Sequence, residues 1–372
     1  MDKLKAYFRT RNFSADLLAQ DVQLKVNNLE WNAIGGPVIA NLSAAGMSQD
    51  IWEFLEYLRR PVEIQNERGE AIWWGYVAEA RIRVDAIEIG VSLDSMCNSV
   101  AVVYSLVEVG TQTSGIRKTT AWGTDADSIA EYGQKDLISS QNDLSDAAAT
   151  GRRDAILAAL KWPQSVAGQF ASSKIRANSD RQANGEVSLV CRGWFDTLRW
   201  RMASVSGTTS VVTTTQIANL ITTYGAFLTG TEIEAASGIS SNEYRDGDTS
   251  VQDEILGLLA SGGASGRRLL CAVDINRRLR VWEEPANTTV NYLLNSQGVL
   301  LNSLNVEIEQ THPPVGVWAR LVDVIPGSTD VSKLSSPELQ FIEGASWDKD
   351  QGLKLLFRGQ PSVEDMFKVG KA

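Results

Sequence analysis

Residues 71–93 read AIWWGYVAEARIRVDAIEIGVSL. Ala71–Val77 is an apolar run that holds the pair Trp73-Trp74. Neighbouring side chains of a strand point to opposite faces, so one indole goes in and the other out. Ile82 and Val84 then alternate with Arg81 and Arg83, and Ile87, Ile89 and Val91 alternate with Glu88 and Gly90. A period of two predicts half-buried strands. The phase of the alternation changes between Val84 and Ile87, which predicts a turn or bulge at Asp85-Ala86.

Upstream, Gln49–Arg59 places Ile51, Phe54, Leu55 and Leu58 on one helical stripe, with Ser48 as N-cap and Pro61 as the stop. Val62-Glu63-Ile64 is a short strand, and Asn66-Glu67-Arg68-Gly69 a hairpin turn leading into Ala71. Downstream, Ser99–Glu108 is one more apolar strand. The first 110 residues or so therefore read as mixed but mainly β.

Between 116 and 185 the pattern turns helical. Ser128 and Glu131 fit a capping box opening a short helix to Gln134. Asp146–Leu160 is Ala-rich at helical spacing and stops before Pro163, while Ala171–Gly185 reads as a loop or exposed hairpin. Glu186–Arg192 alternates again, with Val187, Leu189 and Cys191 on one face. Ser204–Thr215 is a linker candidate. Helices fit Gln216–Tyr224 and Val251–Ala260, the second stopped by Gly262-Gly263. Strands fit Leu269–Val273, Leu279–Trp282 around the turn Asp274–Arg278, Leu304–Ile308 and Val315–Leu321. The order helix, strand, tight turn, strand thus occurs at 49–77 and again at 251–282. The pattern from Ser335 onward gives no assignment.

The chain has 372 residues, 43% hydrophobic and 22% charged, which is the composition of a globular protein of two or three domains. The net charge of −10 argues against gripping phosphates or an anionic membrane. The stretch MDKLKAYFRTRNFSADLL lacks the continuous apolar core of a signal peptide, and no apolar run reaches the ~20 residues that span a bilayer. No membrane anchoring is expected.

Three cysteines, Cys97, Cys191 and Cys271, are widely spaced with no CxxC, and read as reduced core thiols. The single histidine, His312, precedes Pro313-Pro314. One histidine excludes HExxH and disfavours the usual zinc sites. Gly110-Thr-Gln-Thr-Ser-Gly115 is followed by Ile116 where a phosphate loop needs Lys. No GxGxxG follows a strand and no GxSxG is present. Asp246-Gly247-Asp248 is a turn, too short for a calcium loop. Asp125 and Asp127 fit a helix N-terminus better than an acid/base pair. Glu283 and Glu284, adjacent in an extended chain, point apart. No catalytic, cofactor-binding or metal site is expected, and the chain reads as a non-enzyme. Eleven tryptophans leave open a sugar-binding role beside core or interface packing.

Residues 35–104 resemble the N-terminal region of bacteriophage tail hub proteins. The resemblance rests on a Gly-Gly step before a helix, then Trp74-Gly75-Tyr76-Val77, then the Val-x-Leu-Asp-x-Met-x-Asn stretch Val91–Asn98. Residues 124–138, the Ala-rich helix with Trp162-Pro163, Arg278–Val281 and Gly316–Leu321 are similar to later segments of that family. The likeness runs to about residue 330.

The resemblance implies an α+β, mainly β fold with two tail-tube-like β-barrels and a mainly helical insert. The first barrel would use 1–115, closed by 186–206; the insert would be 116–185; the second barrel would lie in 207–330; and 331–372 would form a C-terminal tail. It further implies a structural virion protein, the tail baseplate hub or tail-tip ring. Such a ring continues the tail tube and connects it to the tip or spike. Implied partners are copies of itself in a trimer or hexamer, the tail tube or distal tail protein, the tip or spike protein, and phage DNA in transit. The chain would be made in the host bacterial cytoplasm and reside in the virion. A distal tail protein is the alternative from the same lineage. A sugar-binding receptor module and a cell-wall hydrolase are alternatives from other classes.

Charge along the chain adds one expectation. Glu232, Glu234, Glu243, Asp246, Asp248, Asp253 and Glu254 lie close in sequence, and only Arg245 stands among them. They form a solvated segment, or, on the hub reading, a carboxylate-lined rim that DNA phosphates would not stick to.

Overall fold

The 71–93 stretch folds as its alternation predicts. In this computed structural model, Ala71–Val84 is one long strand and Ile87–Ser92 returns antiparallel to it, with Val84 opposite Ile87. The described residues are 4–14, 16–18, 24–47, 51–84, 87–106, 116–166, 184–207, 209–235, 239–286, 289–295, 297, 299–302, 304, 306–308, 312–322 and 339–358. The expected turn at Asp85-Ala86 lies outside them, as do Ser48 and the 171–183 loop.

One edge of Ala71–Val84 carries Pro61–Gln65 and then Ile87–Ser92; the other carries Asn184–Gly193. Asn184–Gly193 is antiparallel both to Ala71–Val84 and to Ile34–Met47, so a strand from mid-chain fills the middle of the N-terminal sheet. Its alternation sends Val187, Leu189 and Cys191 into the core. Lys5–Arg9 extends the sheet beyond Pro61–Gln65, and Lys25–Asn32 extends it beyond Ile34–Met47.

The C-terminal segment joins the same sheet. Leu339–Asp348 and Gly352–Arg358 form a hairpin. Residues 344–348 pair with Lys25–Asn32, while 339–342 pair with Val317–Leu321. A region whose own pattern gave no assignment thus completes the N-terminal sheet.

The second hairpin, Leu269–Val273 with Arg278–Glu283, meets the start of Ile34–Met47 in parallel, Cys271 opposite Ile34. Gly230–Ile233 adds in parallel to Arg278–Glu283. Helices Thr213–Tyr224 and Val251–Ala260 bury Ile217, Leu220, Ile221, Val251 and Ile255 in the same cluster that holds Phe8, Trp73 and Trp200. Among the described residues, seventeen strands connect through hydrogen bonds, and one apolar cluster runs from Phe8 to Ala345. The mainly β, α+β character stands. No described helix is long and apolar enough to cross a membrane.

Several local expectations are corrected. Of the helix expected at 49–59, the described part is α-helical at Ile51 and Trp52 and tightens to a 3-10 turn over Glu53–Tyr57; it ends where Leu58 turns extended and Arg59 takes a left-handed backbone. Its stripe still holds: Ile51, Phe54 and Leu58 are buried. The helix near 128 is Ala126–Tyr132, and its cap is Asp125, whose side chain accepts from Ser128 N at 3.0 Å. Ser128 itself is buried and bonds Lys161 O.

Residues 116–166 are not all helical. Asp136–Leu144 is a strand running parallel to Ser99–Leu106, in a separate four-stranded sheet onto which helix Asp146–Leu160 folds. The Ser/Thr linker candidate is structured: Met202–Val205 pairs with Arg245–Ser250, and Ser210–Val212 pairs with Ser240–Asn242. Leu304 and Val306 are exposed and not on a strand. Asn302 Oδ1 accepts from both their amides and curls the chain into a turn.

Candidate functional site

The two quoted motifs converge on one buried aromatic junction. Trp73 faces inward with no exposure, in the cluster that holds Phe54 and Leu58. Trp74 faces the other way. Its Nε1 donates to Val273 O at 2.9 Å, and its ring meets His312 edge-on at 5.5 Å. It therefore ties the N-terminal sheet to the second hairpin. Gly75 stands where Asn184–Gly193 crosses closest: a Cβ there would lie 2.0 Å from Arg192 O, so only glycine fits. Tyr76 is buried, 5.4 Å from both Trp194 and Trp200, and its hydroxyl bonds Asp196 Oδ2. Burial, reinforced by the Asp196 carboxylate, pushes the Tyr76 phenol well above its usual pKa.

Val91–Asn98 supplies the next layer. Leu93 and Met96 are core residues. Asp94 pairs with Arg192 at 2.8 Å and Arg199 at 3.3 Å, and Arg199 Nε reaches Asp196 at 3.0 Å. Asn98 is fully buried and satisfied: Nδ2 donates to Ser128 Oγ at 3.1 Å and Gly133 O at 2.9 Å, and Oδ1 accepts from Lys135 N at 2.8 Å. Lys135 Nζ donates to the Leu93 carbonyl and, at 2.7 Å, to that of Asp94, 5.5 Å above the Trp200 ring. Desolvation, aided by Arg199, lowers the Lys135 pKa to about 8.

Phe227, from the loop after Thr213–Tyr224, closes the junction at 5.6 Å from Trp200 and 6.0 Å from Trp194. A Cβ on Gly133 would lie 2.2 Å from the Phe227 ring. The N-terminal sheet, the 116–166 segment and the second half of the chain thus meet at one place.

The groups weighed for chemistry do not assemble around it. Cys97, Cys191 and Cys271 are free and buried, as expected. Burial raises all three thiols, Cys97 to about 11 and Cys271 to about 12, so they stay protonated at neutral pH and are poor nucleophiles. His312 is solvent-exposed and touches Trp74. Asp125 caps its helix and pairs with Lys161 at 2.9 Å, while Asp127 lies exposed in the first turn. Glu283 pairs with Arg267 and Glu284 with Arg268 and Arg358, on separate sides as the extended backbone requires. Among the described residues, no three His, Cys, Asp or Glu side chains lie together as metal ligands. The exposed tryptophans are Trp52, Trp122 and Trp162, none of them from the Trp73-Trp74 pair.

The acidic segment is not bare. Glu232 pairs with Arg278 at 2.9 Å, Glu234 with Arg280, Asp248 with Arg117 and Glu254 with Arg245. Three of those arginines come from elsewhere in the chain, which local charge counting could not see. Sequence reading also missed a square of charges, Arg268, Glu284, Arg358 and Glu343, that fastens the C-terminal hairpin to the second half. Its members share no motif, so no local signal marks them.

No protein-family model matches the chain, and no curated protein matches it. Among solved structures, it is similar to the 43 kDa tail protein of prophage MuSo2 from Shewanella oneidensis, at 7% identity over 96% of this chain and 97% of that one, with a TM-score of 0.43. It is also similar to a tail protein from Neisseria meningitidis MC58, at 6% identity over 95% of this chain and 96% of that one, with a TM-score of 0.41.

Proposed function

We propose that the chain is a structural component of a bacteriophage tail, and within the tail the baseplate hub or tail-tip ring. The observation that carries this reading is what the resembling motifs do here. Gly75, Tyr76, Leu93, Asp94, Met96 and Asn98 are each used to join strands, helices and loops. A motif made of joints, with its carboxylates held by arginines and its thiols protonated, serves a scaffold and not a reaction.

On this reading the chain forms two tail-tube-like barrels. Asn184–Gly193, paired on both edges in the N-terminal sheet, supports the closing role of 186–206 in the first. Copies assemble into a trimeric or hexameric ring that continues the tail tube, seats the tip or spike, and leaves a channel for DNA. The arginine partners of Glu232, Glu234 and Asp248 weaken any bare acidic rim, so passage of DNA rests on the charge of the whole wall and not on that segment.

The test is mass measurement and imaging of the full chain, alone and mixed with the tail-tube protein of the same phage. A closed ring of three or six copies that caps the tube supports the reading. A chain that stays monomeric in both samples overturns it.

A further inference from the structure

Four non-glycine residues among those described have left-handed backbones, and three of them meet: Phe13, Arg59 and Arg277, with φ of 62°, 62° and 61°. The Arg277 guanidinium lies 3.6 Å from the Phe13 ring centre and that of Arg59 5.9 Å from it; Arg59 is also 5.1 Å from Phe227. Arg59 is locked in this conformation by its own strand neighbour. Its amide donates to Val77 O at 2.7 Å, and Val77 N donates to Arg60 O at 3.1 Å. Strained backbones persist only where surrounding structure holds them, and they gather at working sites.

The charges around Arg59 do not balance. Arg59 is 6% exposed, its Nε has no hydrogen-bond partner, and its Nη2 reaches only the Glu131 carbonyl, at 3.5 Å. Among the described residues no carboxylate pairs with Arg59 or Arg60. The Glu131 carboxylate is taken by Arg11, which also donates to Leu58 O at 2.8 Å and Glu56 O at 2.7 Å. Burial lowers the Arg59 pKa to about 10, and the nearby Arg11 and Arg277 add to the effect. Burial also lowers Arg11 and Arg277, which Arg60 and Arg9 respectively reinforce. A buried cation facing other cations is unfavourable; the aromatic faces offset only part of that cost.

Beside Arg59 lies a cavity of about 330 Å³, widely open to solvent and lined by Thr10, Arg11, Asn12, Arg59, Arg60, Ala130 and Glu131. We propose that this cavity binds an oxyanion, a phosphate or carboxylate group, held by the guanidinium groups of Arg59 and Arg60 with Arg11 behind them. Planar guanidinium forks match both anions in two-point hydrogen bonds. The anion supplies the counter-charge that Arg59 lacks. Its source is either a small free oxyanion or a side-chain carboxylate from a second copy of this acidic chain. The inference is independent of the tail reading.

The test uses the full chain with inorganic phosphate as probe and has two arms. In the first, melting is followed as phosphate replaces chloride at constant ionic strength. In the second, phosphate is absent and self-association is followed with rising protein concentration. A free oxyanion gives a melting temperature that climbs with phosphate; a second-copy carboxylate gives association that phosphate competes away. Arg59→Met should remove whichever response the wild type shows. Should that variant not fold, Arg60→Gln, on the cavity wall, should weaken the response about 10-fold, the loss expected for one charged hydrogen bond. No response in either arm, or one unchanged in both variants, overturns the proposal.

Discussion

The chain uses one small module twice, at 49–77 and 251–282, and the two copies solve the same geometry with opposite residues. In each, a helical turn leads into a hairpin. The hairpin turns share three hydrogen bonds. Asn66 N donates to Glu70 O, Gly69 N to Asn66 O, and Glu70 N to Asn66 Oδ1; Asp274 N donates to Arg278 O, Arg277 N to Asp274 O, and Arg278 N to Asp274 Oδ1. Both turns need a left-handed fourth residue: Gly69 in the first, Arg277 in the second. The helical turns end in a left-handed residue too, but there the identities are exchanged, Arg59 in the first and Gly262 in the second.

The exchange is instructive. Where glycine stands, only the backbone is used. Where arginine stands, the strain is accepted because the side chain works: both arginines reach the Phe13 ring. The helical parts differ in turn. Val251–Ala260 has a side-chain cap, Ser250 Oγ accepting from Asp253 N at 3.1 Å, and forms a full α-helix. Glu53–Tyr57 continues the helical residues Ile51 and Trp52 as a 3-10 turn, and the chain leaves it where the Arg59 amide donates to Val77 O at 2.7 Å.

The comparison can be tested from its largest consequence down. With the turns aligned at Asn66 and Asp274, Trp73 falls on Val281, and both are fully buried. Trp73→Ala should cost ~3–5 kcal/mol in urea unfolding, and Val281→Ala ~2 kcal/mol, because the larger cavity loses more contacts. Equal losses would mean that the two hairpins are not equivalent parts of one core. Gly75 falls on Glu283, and in the first hairpin a strand presses against that point. Gly75→Ala should therefore lower stability by ~1–3 kcal/mol or shift the Asn184–Gly193 register, readable by amide exchange.

The turns give a finer test. Gly69→Ala should cost ~1–2 kcal/mol through backbone conformation alone, since nothing lies near its Cβ. Arg277→Gly relieves the same strain but removes the Phe13 stack and the bond to Phe227 O, so thermal melting should show no gain. A clear stabilisation by Arg277→Gly would mean that the arginine side chain does nothing there.

The smallest effect is in acid. Hydrogen bonds from Ser265, with Arg267 also donating, hold the Glu283 pKa below the usual carboxylate value of 4.5. A depressed carboxylate contributes stability that is complete above its unfolded pKa and lost as pH falls through the folded one. Below about pH 4.5, protection against amide exchange, taken relative to the intrinsic rate at each pH, should therefore fall around 263–283 in the wild type but not in Glu283→Gln.

Much of this architecture is legible in the residues themselves. Alternation located the strands at 81–84, 87–91 and Glu186–Arg192, because side-chain burial along a strand follows a period fixed by the backbone, and apolar runs located Ala71–Val77 and, around its turn, the second hairpin. Helical spacing and the stops at Pro163 and Gly262-Gly263 located Asp146–Leu160 and Val251–Ala260 to the residue. The scaffold role of Gly75 and Asn98 could be suspected from the motifs that hold them, although not what each one touches.

What the sequence by itself determined is the mainly β character, the two hairpin modules, the reduced buried thiols and the setting of His312 in a loop. These depend on periodicity, composition and near neighbours. Only the tertiary structure decided which distant segments meet. It placed Asn184–Gly193 between two N-terminal strands, brought the C-terminal hairpin to Lys25–Asn32, set Arg278, Arg280 and Arg117 against the acidic segment, and gathered Phe13, Arg59 and Arg277. The physical reason is that strand pairing, ion pairing and stacking are satisfied by proximity in space. A strand edge or a carboxylate carries no local mark of the partner that will reach it from two hundred residues away.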